Sequence, residues 1–290
     1  MRNKLKTYFK LFRINNYIKN LFVFAPLFFN FQFDNATIVE SCFVFLLFCL
    51  MASGIYTFND VFDLQSDKKH PIKKTRPMAS GKISVKEGVF LGVLLITSSL
   101  LGAYLLNLKV FYVFILYVFI NTLYNLYLKE VPILDVLIIS LGFIIRIMAG
   151  SSATSIPPSY WILVITFLLS MFLGFSKRRS DVVLASKIGN GSRNISIFSL
   201  QIINQILIAF AIIICGVYFM YTMSDDVVTR IGSKLVYITN VFVILGILRY
   251  TQIIKKSKHY SDPTTVVVND WKLQVIILMW ALTFIFLKYI

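Results

Sequence analysis

The sequence predicts an all-α fold, a polytopic membrane helical bundle of about nine transmembrane helices, and three observations carry that prediction. Hydrophobic residues make up 58% of the 290 residues and charged residues only 14%, well outside the usual soluble mixture. Apolar runs of about 17 to 25 residues, long enough to cross a bilayer, recur from near the start to the last residue. The Lys and Arg residues behind the net charge of +16 lie between those runs and on no single soluble face, which argues against nucleic acid as a partner. The spans leave no room for a separate soluble domain, so residues 1–290 are expected to form one domain.

Residues 1–16 read as an amphipathic basic helix at the membrane surface, with Leu5, Tyr8, Phe9 and Phe12 against Lys4, Lys6, Lys10 and Arg13. The start is basic like a signal peptide, but Pro26 and large aromatics follow and no small-residue cleavage site does, so the segment is expected to be retained. The first span runs from about Tyr17 to Phe33, with Lys19 at its mouth. A second covers about Thr37 to Phe58. The basic loop after it contains His70-Pro71 and Arg76-Pro77, where the residue before proline resists helix. Ser84 and Glu87 fit a capping box that opens a span of about Val85 to Leu106. A short connection at Asn107 leads to a fourth span ending near Lys129, and Pro132 marks the turn. Further spans are expected at about Ile133 to Gly150, Tyr160 to Ser176, Ile197 to Met223, Gly232 to Tyr250 and Trp271 to Ile290, with a polar loop to about Asn194 after the sixth.

Alternating sides at each span sorts the charges. One side collects Arg2, Lys4, Lys6, Lys10, Arg13 and Lys19, the loop from Lys68 to Lys86, then Lys129. The same side adds Lys177, Arg178, Arg179, Lys187 and Arg193, and Arg249, Lys255, Lys256, Lys258 and Lys272. The other side receives Lys109, Arg230, Lys234 and Lys288. The positive-inside rule makes the first side cytoplasmic, and the N-terminus with it, in the cell membrane. Cys42, Cys49 and Cys215 lie inside apolar runs without metal-ligand spacing and read as packing residues.

The dense group of carboxylates is NDVFDLQSD, Asn59 to Asp67, which directly follows the second span. On a continuing helix Asn59, Asp63 and Asp67 fall four residues apart on one face, with Asp60 beside them. Like charges at that spacing repel unless a cation sits between them, and oxygen ligands suit a hard ion such as Mg²⁺. A solvated helix end would not need the same face repeated over two turns. Asn59, Asp60, Asp63 and Asp67 are therefore candidate metal ligands. The Lys and Arg of the following loop fit the phosphate oxygens that complete a Mg²⁺ shell, so the expected substrate is an organic diphosphate, activated as a leaving group. Some of those lysines, Lys68 and Lys69 first, are expected only to set topology. Arg146, costly in lipid, is expected to face the cavity or a partner and to bind an anion. Asp135 is expected to be structural, through a cation or its helix cap. His70 and His259 are isolated, and Asp225 with Asp226 reads as a solvated loop on the opposite side.

NDVFDLQSD resembles the NDxxDxxxD motif of the UbiA-type polytopic prenyltransferase superfamily. The resemblance extends through IYTFNDVFDLQSDKKHP, RPMASGKIS and LYNLYLKEVPILDVLIISLGFIIRIMAG. Three stretches are most similar to the polyprenyl-phosphate (decaprenyl-phosphate) phosphoribosyltransferase branch: RINNYIKNLFVFAPLFF, FLLSMFLGFSKRRSDV and LRYTQIIKKSKHYSDPTTVVVNDW. The resemblance implies a bundle around a central cavity open to the cytoplasmic side. It implies a Mg²⁺-dependent reaction with Asp60, Asp63 and Asp67 catalytic. It also matches Tyr124 and Lys129 to a segment expected near substrate phosphate.

One departure bears on the substrate. Aromatic prenyltransferases of the superfamily carry a second Asp-rich motif after the sixth span, where this chain has KRRSD with only Asp181 acidic. Lys177 and Arg178 there suit a second phosphorylated substrate. The expected reaction moves a 5-phosphoribosyl group from phosphoribosyl diphosphate to a polyprenyl phosphate, with Lys19, Asn59, Arg76, Tyr124, Lys129, Arg146, Lys177 and Arg178 binding substrate. Two rivals are prenyl transfer from an allylic diphosphate to an aromatic acceptor, and a non-catalytic membrane transporter whose carboxylates and Arg146 form an ion path.

Overall fold

The computed structural model describes residues 2–70, 72–131, 133–188, 199–256 and 263–289. Pro71, Pro132, residues 189–198, Lys258, His259 and the last residue of the ninth expected span lie outside them, and the polar loop expected after the sixth span is instead helical as far as Ile188. The described residues are helices joined by turns and short loops, with no strand among them. In order they form α1 (Arg2–Leu11), a 3₁₀ segment (Ile14–Phe24), α2 (Ala25–Asn30), α3 (Asn35–Phe62) and α4 (Leu64–Lys69). Next come α5 (Val85–Leu106), α6 (Leu108–Leu126), α7 (Leu134–Thr154) and α8 (Tyr160–Ile188). The last are α9 (Leu200–Met223), α10 (Asp225–Ile231), α11 (Asn240–Lys256), α12 (Pro263–Asn269) and α13 (Trp271–Tyr289).

Among the described residues, eight helical stretches are long and apolar enough to cross a membrane, which makes this a multi-pass membrane protein. They are α3, α5, α6, α7, α8 through Val183, α9, Lys234–Lys255 and α13. The first expected span, Tyr17 to Phe33, is built differently. Its first part is 3₁₀, Pro26 stands in the first turn of α2, and Phe31 ends it in a left-handed conformation (φ 55°). At about 2.0 Å per residue for 3₁₀ and 1.5 Å for α, these two pieces laid end to end would still reach about 30 Å.

Cap chemistry sets the helix starts. The Asp34 carboxylate accepts from Thr37 N (3.0 Å) and Thr37 Oγ1 (2.5 Å) to open α3, and these bonds hold its carboxyl below the usual carboxylate range. Ser84 Oγ accepts from Glu87 N (3.2 Å) at the start of α5, as the capping box expects. The Glu87 carboxylate is drawn instead to the Tyr8 hydroxyl of α1 (2.5 Å), and that bond pushes the Tyr8 phenol pKa up. The α1 helix is accordingly docked, with Leu11 sealed against Met78 and Ile83 and with Tyr8 and Phe12 packed alongside. Leu5 and Phe9 are the large apolar residues it leaves exposed.

The chain divides into two compact units, residues 1–129 with 142–159, and residues 130–141 with 160–290. In the first, α3 lies against α5, where a Cβ on Gly54 would sit 2.6 Å from Ile96 and 3.0 Å from the Gly92 carbonyl oxygen. Ser99 Oγ donates to the Leu47 carbonyl (2.7 Å) across the same contact. Phe48, Met51, Phe114, Tyr117 and Ala149 fill the core beside it. In the second unit α8 packs on α9, with Phe172, Phe175, Ile203, Leu207 and Tyr250 in the core and a 2.6 Å bond joining the Ser176 and Tyr250 hydroxyls. Leu105, Ile212 and Phe286 stand well exposed, as lipid-facing residues do.

Gly150 is required by packing, since a Cβ there would meet the Val23 carbonyl oxygen of the 3₁₀ segment, whereas Gly216 faces open space. Gly150→Ala is expected to lower stability by about 1–3 kcal/mol, and Gly216→Ala to leave it unchanged or raise it by up to about 1 kcal/mol. Thermal unfolding of both variants in detergent checks this.

Candidate active site

The acidic motif occupies the junction of α3 and α4. The helix is interrupted at Asp63 (φ −88°, ψ 1°) and then resumes. Asp63 N nevertheless donates to the Asn59 carbonyl (2.9 Å) and Asp67 N to the Asp63 carbonyl (2.8 Å), so the four-residue spacing survives the break. Asp60 and Asp67 are each 2% exposed. Carboxylates buried this deeply need cations, and the sequence supplies them from three directions. Arg76 Nη1 donates to Asp67 Oδ2 (2.7 Å) and Asp60 Oδ1 (3.2 Å), bridging the two. Lys129 Nζ reaches Asp63 Oδ1 at 2.9 Å. Arg13 Nη2 donates to Asp60 Oδ1.

Local structure explains why these cations arrive. Arg76 follows the 3₁₀ turn Lys73–Thr75, in a loop steadied by His70 Nδ1, which accepts from Ile72 N and Lys73 N (3.2 Å each). Gly81 turns that loop with φ 73°, and Met78 and Ile83 anchor it under Leu11. Arg13 sits where α1 gives way to the 3₁₀ segment, in a left-handed conformation (φ 50°, ψ 49°). Sequence reasoning missed it as a site residue, because a cation at the end of a basic amphipathic helix looks like any other membrane-facing charge.

The donor set suits a hard divalent ion in kind: three carboxylates and the Asn59 amide oxygen within nine residues. Asn59 Oδ1 is buried without a hydrogen-bond partner among the described residues, the mark of an acceptor waiting for a donor or a cation. Among the described residues no three His, Cys, Asp or Glu groups are close enough to form a metal cage by themselves, consistent with Arg13 and Arg76 standing between the carboxylates. The donors present therefore fit Mg²⁺ in kind, while Arg13 and Arg76 occupy the Asp60 and Asp67 oxygens.

Lys19 lies on the 3₁₀ segment and Tyr124 near the end of α6, both half-buried and both engaged within the protein. Arg146 has partners other than the expected anion. It is 4% exposed, and Nε donates to Asn20 Oδ1 (2.8 Å), Nη1 to the Gly142 carbonyl (2.6 Å) and Nη2 to the Tyr117 hydroxyl (3.0 Å). The rings of Phe48, Tyr117 and Phe143 surround its guanidinium at 4.9–5.5 Å. Neutral oxygens and ring faces solvate this cation, so it acts as a core brace.

In the second unit Lys177 and Arg178 lie on α8. Arg178 Nη2 pairs with Asp135 Oδ2 (2.6 Å) and Nη1 with Asp181 Oδ2 (3.0 Å), and Nε is buried without a hydrogen-bond partner. Asp135 also takes its own helix's Val136 N (2.7 Å), which is the structural role expected of it. Arg179, the third cation of KRRSD, braces α8 to Asn204 Oδ1 and the Ile254 carbonyl, both at 2.8 Å.

A family model described as "UbiA prenyltransferase family" matches residues 23–264. The chain belongs to the UbiA prenyltransferase family. This UbiA-family protein is thus a membrane-embedded transferase. A decaprenyl-phosphate phosphoribosyltransferase of Mycolicibacterium smegmatis is 30% identical, over 96% of this chain and 91% of its own. The Mycobacterium tuberculosis protein of the same name is 28% identical over 94% and 91%. Among solved structures, a UbiA homolog from Archaeoglobus fulgidus bound to DMAPP and Mg²⁺ shares the fold, with a TM-score of 0.72 at 19% identity over 98% of this chain and 99% of that one.

The side chain of Asp135 is 8% exposed and depends on Arg178. Arg178→Ala is expected to cost about 2–3 kcal/mol by leaving a buried unpaired carboxylate, and Asp135→Asn in the same chain to recover most of it. Chemical or thermal unfolding of the two single variants and the double variant measures the coupling.

Proposed function

We propose that this protein transfers a 5-phosphoribosyl group from phosphoribosyl diphosphate to a polyprenyl phosphate and releases diphosphate. The observation that carries the reading is the near full-length similarity to decaprenyl-phosphate phosphoribosyltransferases. A phosphate oxygen of the lipid attacks C1 of the ribose as the bond from C1 to the diphosphate oxygen breaks. No general base is needed, because a phosphate monoester is already ionised near neutral pH. Asn59, Asp60, Asp63 and Asp67 would hold Mg²⁺, which when bound neutralises charge on the departing diphosphate. Arg76 and Lys129, now on those carboxylates, are suited to the same diphosphate. Lys19, Tyr124, Lys177 and Arg178 are further proposed contacts for substrate phosphates. Arg146 is left out of this set, because its donors are used inside the core.

The charge asymmetry of the loops supports a cytoplasmic N-terminus and motif in the cell membrane. A second reading, prenyl transfer from an allylic diphosphate, is favoured by the Archaeoglobus fulgidus structures bound to DMAPP and GPP. The absence of a second acidic motif in KRRSD favours the first.

The test is incubation of purified protein and Mg²⁺ with labelled phosphoribosyl diphosphate and polyprenyl phosphate. A labelled lipid is expected; unlabelled lipid together with turnover of an allylic diphosphate would establish the rival. Asp63→Ala is expected to reduce turnover by at least about 100-fold while its unfolding transition stays cooperative, and chelation of Mg²⁺ to abolish the reaction.

A further inference from the structure

Arg13 lies outside every expectation for the site and yet is held there from several sides. Ser53 Oγ donates to the Phe12 carbonyl (3.0 Å) and also bonds the Tyr17 hydroxyl (2.8 Å), which pins the chain on both sides of Arg13. The Arg13 guanidinium rests on the Tyr56 ring, 5.0 Å from its centroid, and bonds Asp60. Ser53, Tyr56 and Asp60 form one stripe along α3, so the turn after α1 is fitted to the helix face that ends in the motif.

The pair is asymmetric in exposure: the Asp60 side chain is 2% exposed and the Arg13 side chain 23%. Arg76 repeats the pattern, 26% exposed against 3% for Asp67. The carboxylates are thus sealed behind their own cations. A bare divalent ion reaching them must displace guanidinium groups and then stand beside them, with repulsion on both counts. A divalent ion arriving with a diphosphate removes the penalty, since each displaced guanidinium gains a bidentate phosphate acceptor.

We propose that Arg13 is a phosphate ligand supplied by the N-terminal segment, and that its pairing with Asp60 makes the site accept a divalent cation only together with a diphosphate. The inference rests on the reading of the motif as a metal diphosphate site. It extends that reading by naming a further phosphate-binding residue and a coupling between metal and diphosphate binding.

The test measures Mn²⁺ binding to detergent-purified full-length protein by electron paramagnetic resonance, with and without inorganic diphosphate. Wild-type protein is expected to bind Mn²⁺ alone weakly, and diphosphate to tighten it at least about tenfold. Arg13→Gln is expected to move the two affinities in opposite directions: Mn²⁺ alone several-fold tighter, and the diphosphate enhancement cut to less than about threefold. Arg13→Lys retains the charge without the fork, so it should keep the weak metal-only binding and lose part of the enhancement. A purely structural Arg13 would shift the unfolding temperature and move both affinities together or leave both unchanged, which would overturn the proposal. Full enhancement in Arg13→Lys would overturn the role of the guanidinium fork. Wild-type protein that ignores Mn²⁺ and diphosphate together would overturn the metal diphosphate reading itself; enhancement in the wild type that survives intact in Arg13→Gln overturns only the role of Arg13.

Discussion

A carboxylate sealed at the end of an apolar helix is the constraint on which the first unit depends. Asp60 closes a membrane-length helix and is almost wholly removed from solvent. Leaving such a group unpaired costs several kcal/mol, comparable with the whole stability of many domains. Two guanidinium groups must therefore be delivered to one oxygen, and most of the surrounding architecture can be read as the means of delivery. The α1 helix is docked rather than adrift, through Leu11 and the Tyr8–Glu87 bond. The chain turns left-handed at Arg13, and the loop after the motif folds back so that Arg76 spans Asp60 and Asp67.

Much of this was legible in the sequence, for identifiable reasons. The spans from α3 to α13 announce themselves because about 20 apolar residues in a row admit few other structures in a membrane protein. Ser84 marked the start of α5 because an N-cap is a local event that needs nothing beyond its own turn. The acids of the motif were found because like charges at helical spacing demand compensation. Other features lay beyond reach. A 3₁₀ segment and an α-helix carry similar apolar patterns, so the conformation of Ile14–Phe24 was not visible. The placement of Arg13 beside Asp60 depends on one left-handed residue and on the Ser53 hydroxyl, which holds the Phe12 carbonyl from 41 positions away. Arg146 was correctly expected to need company, but composition could not say that the company would be an asparagine, a carbonyl and aromatic rings in place of an anion.

The basic residues of this chain divide by what surrounds them, and residue type alone does not sort them. Arg76, Lys129 and Arg178 sit on carboxylates, Arg179 ties helices together, and Arg146 is enclosed. KRRSD shows the division within three consecutive residues. Its middle arginine is paired with acids while its neighbour is spent on an amide and a carbonyl, because adjacent positions on a helix point about 100° apart.

The Arg146 cluster has a consequence for how the protein is made. A lone arginine at the centre of a transmembrane helix disfavours insertion by about 2.5–3.5 kcal/mol. Its partners Asn20, Phe48 and Tyr117 all belong to segments that leave the ribosome before α7 does. When α7 enters the bilayer it brings the Gly142 carbonyl and the Phe143 ring itself, and the Asn20 and Tyr117 oxygens and the Phe48 ring have already been synthesised. Vectorial synthesis from the N-terminus thus supplies those partners ahead of the cation, and a circularly permuted chain that began at α7 would meet the membrane without them.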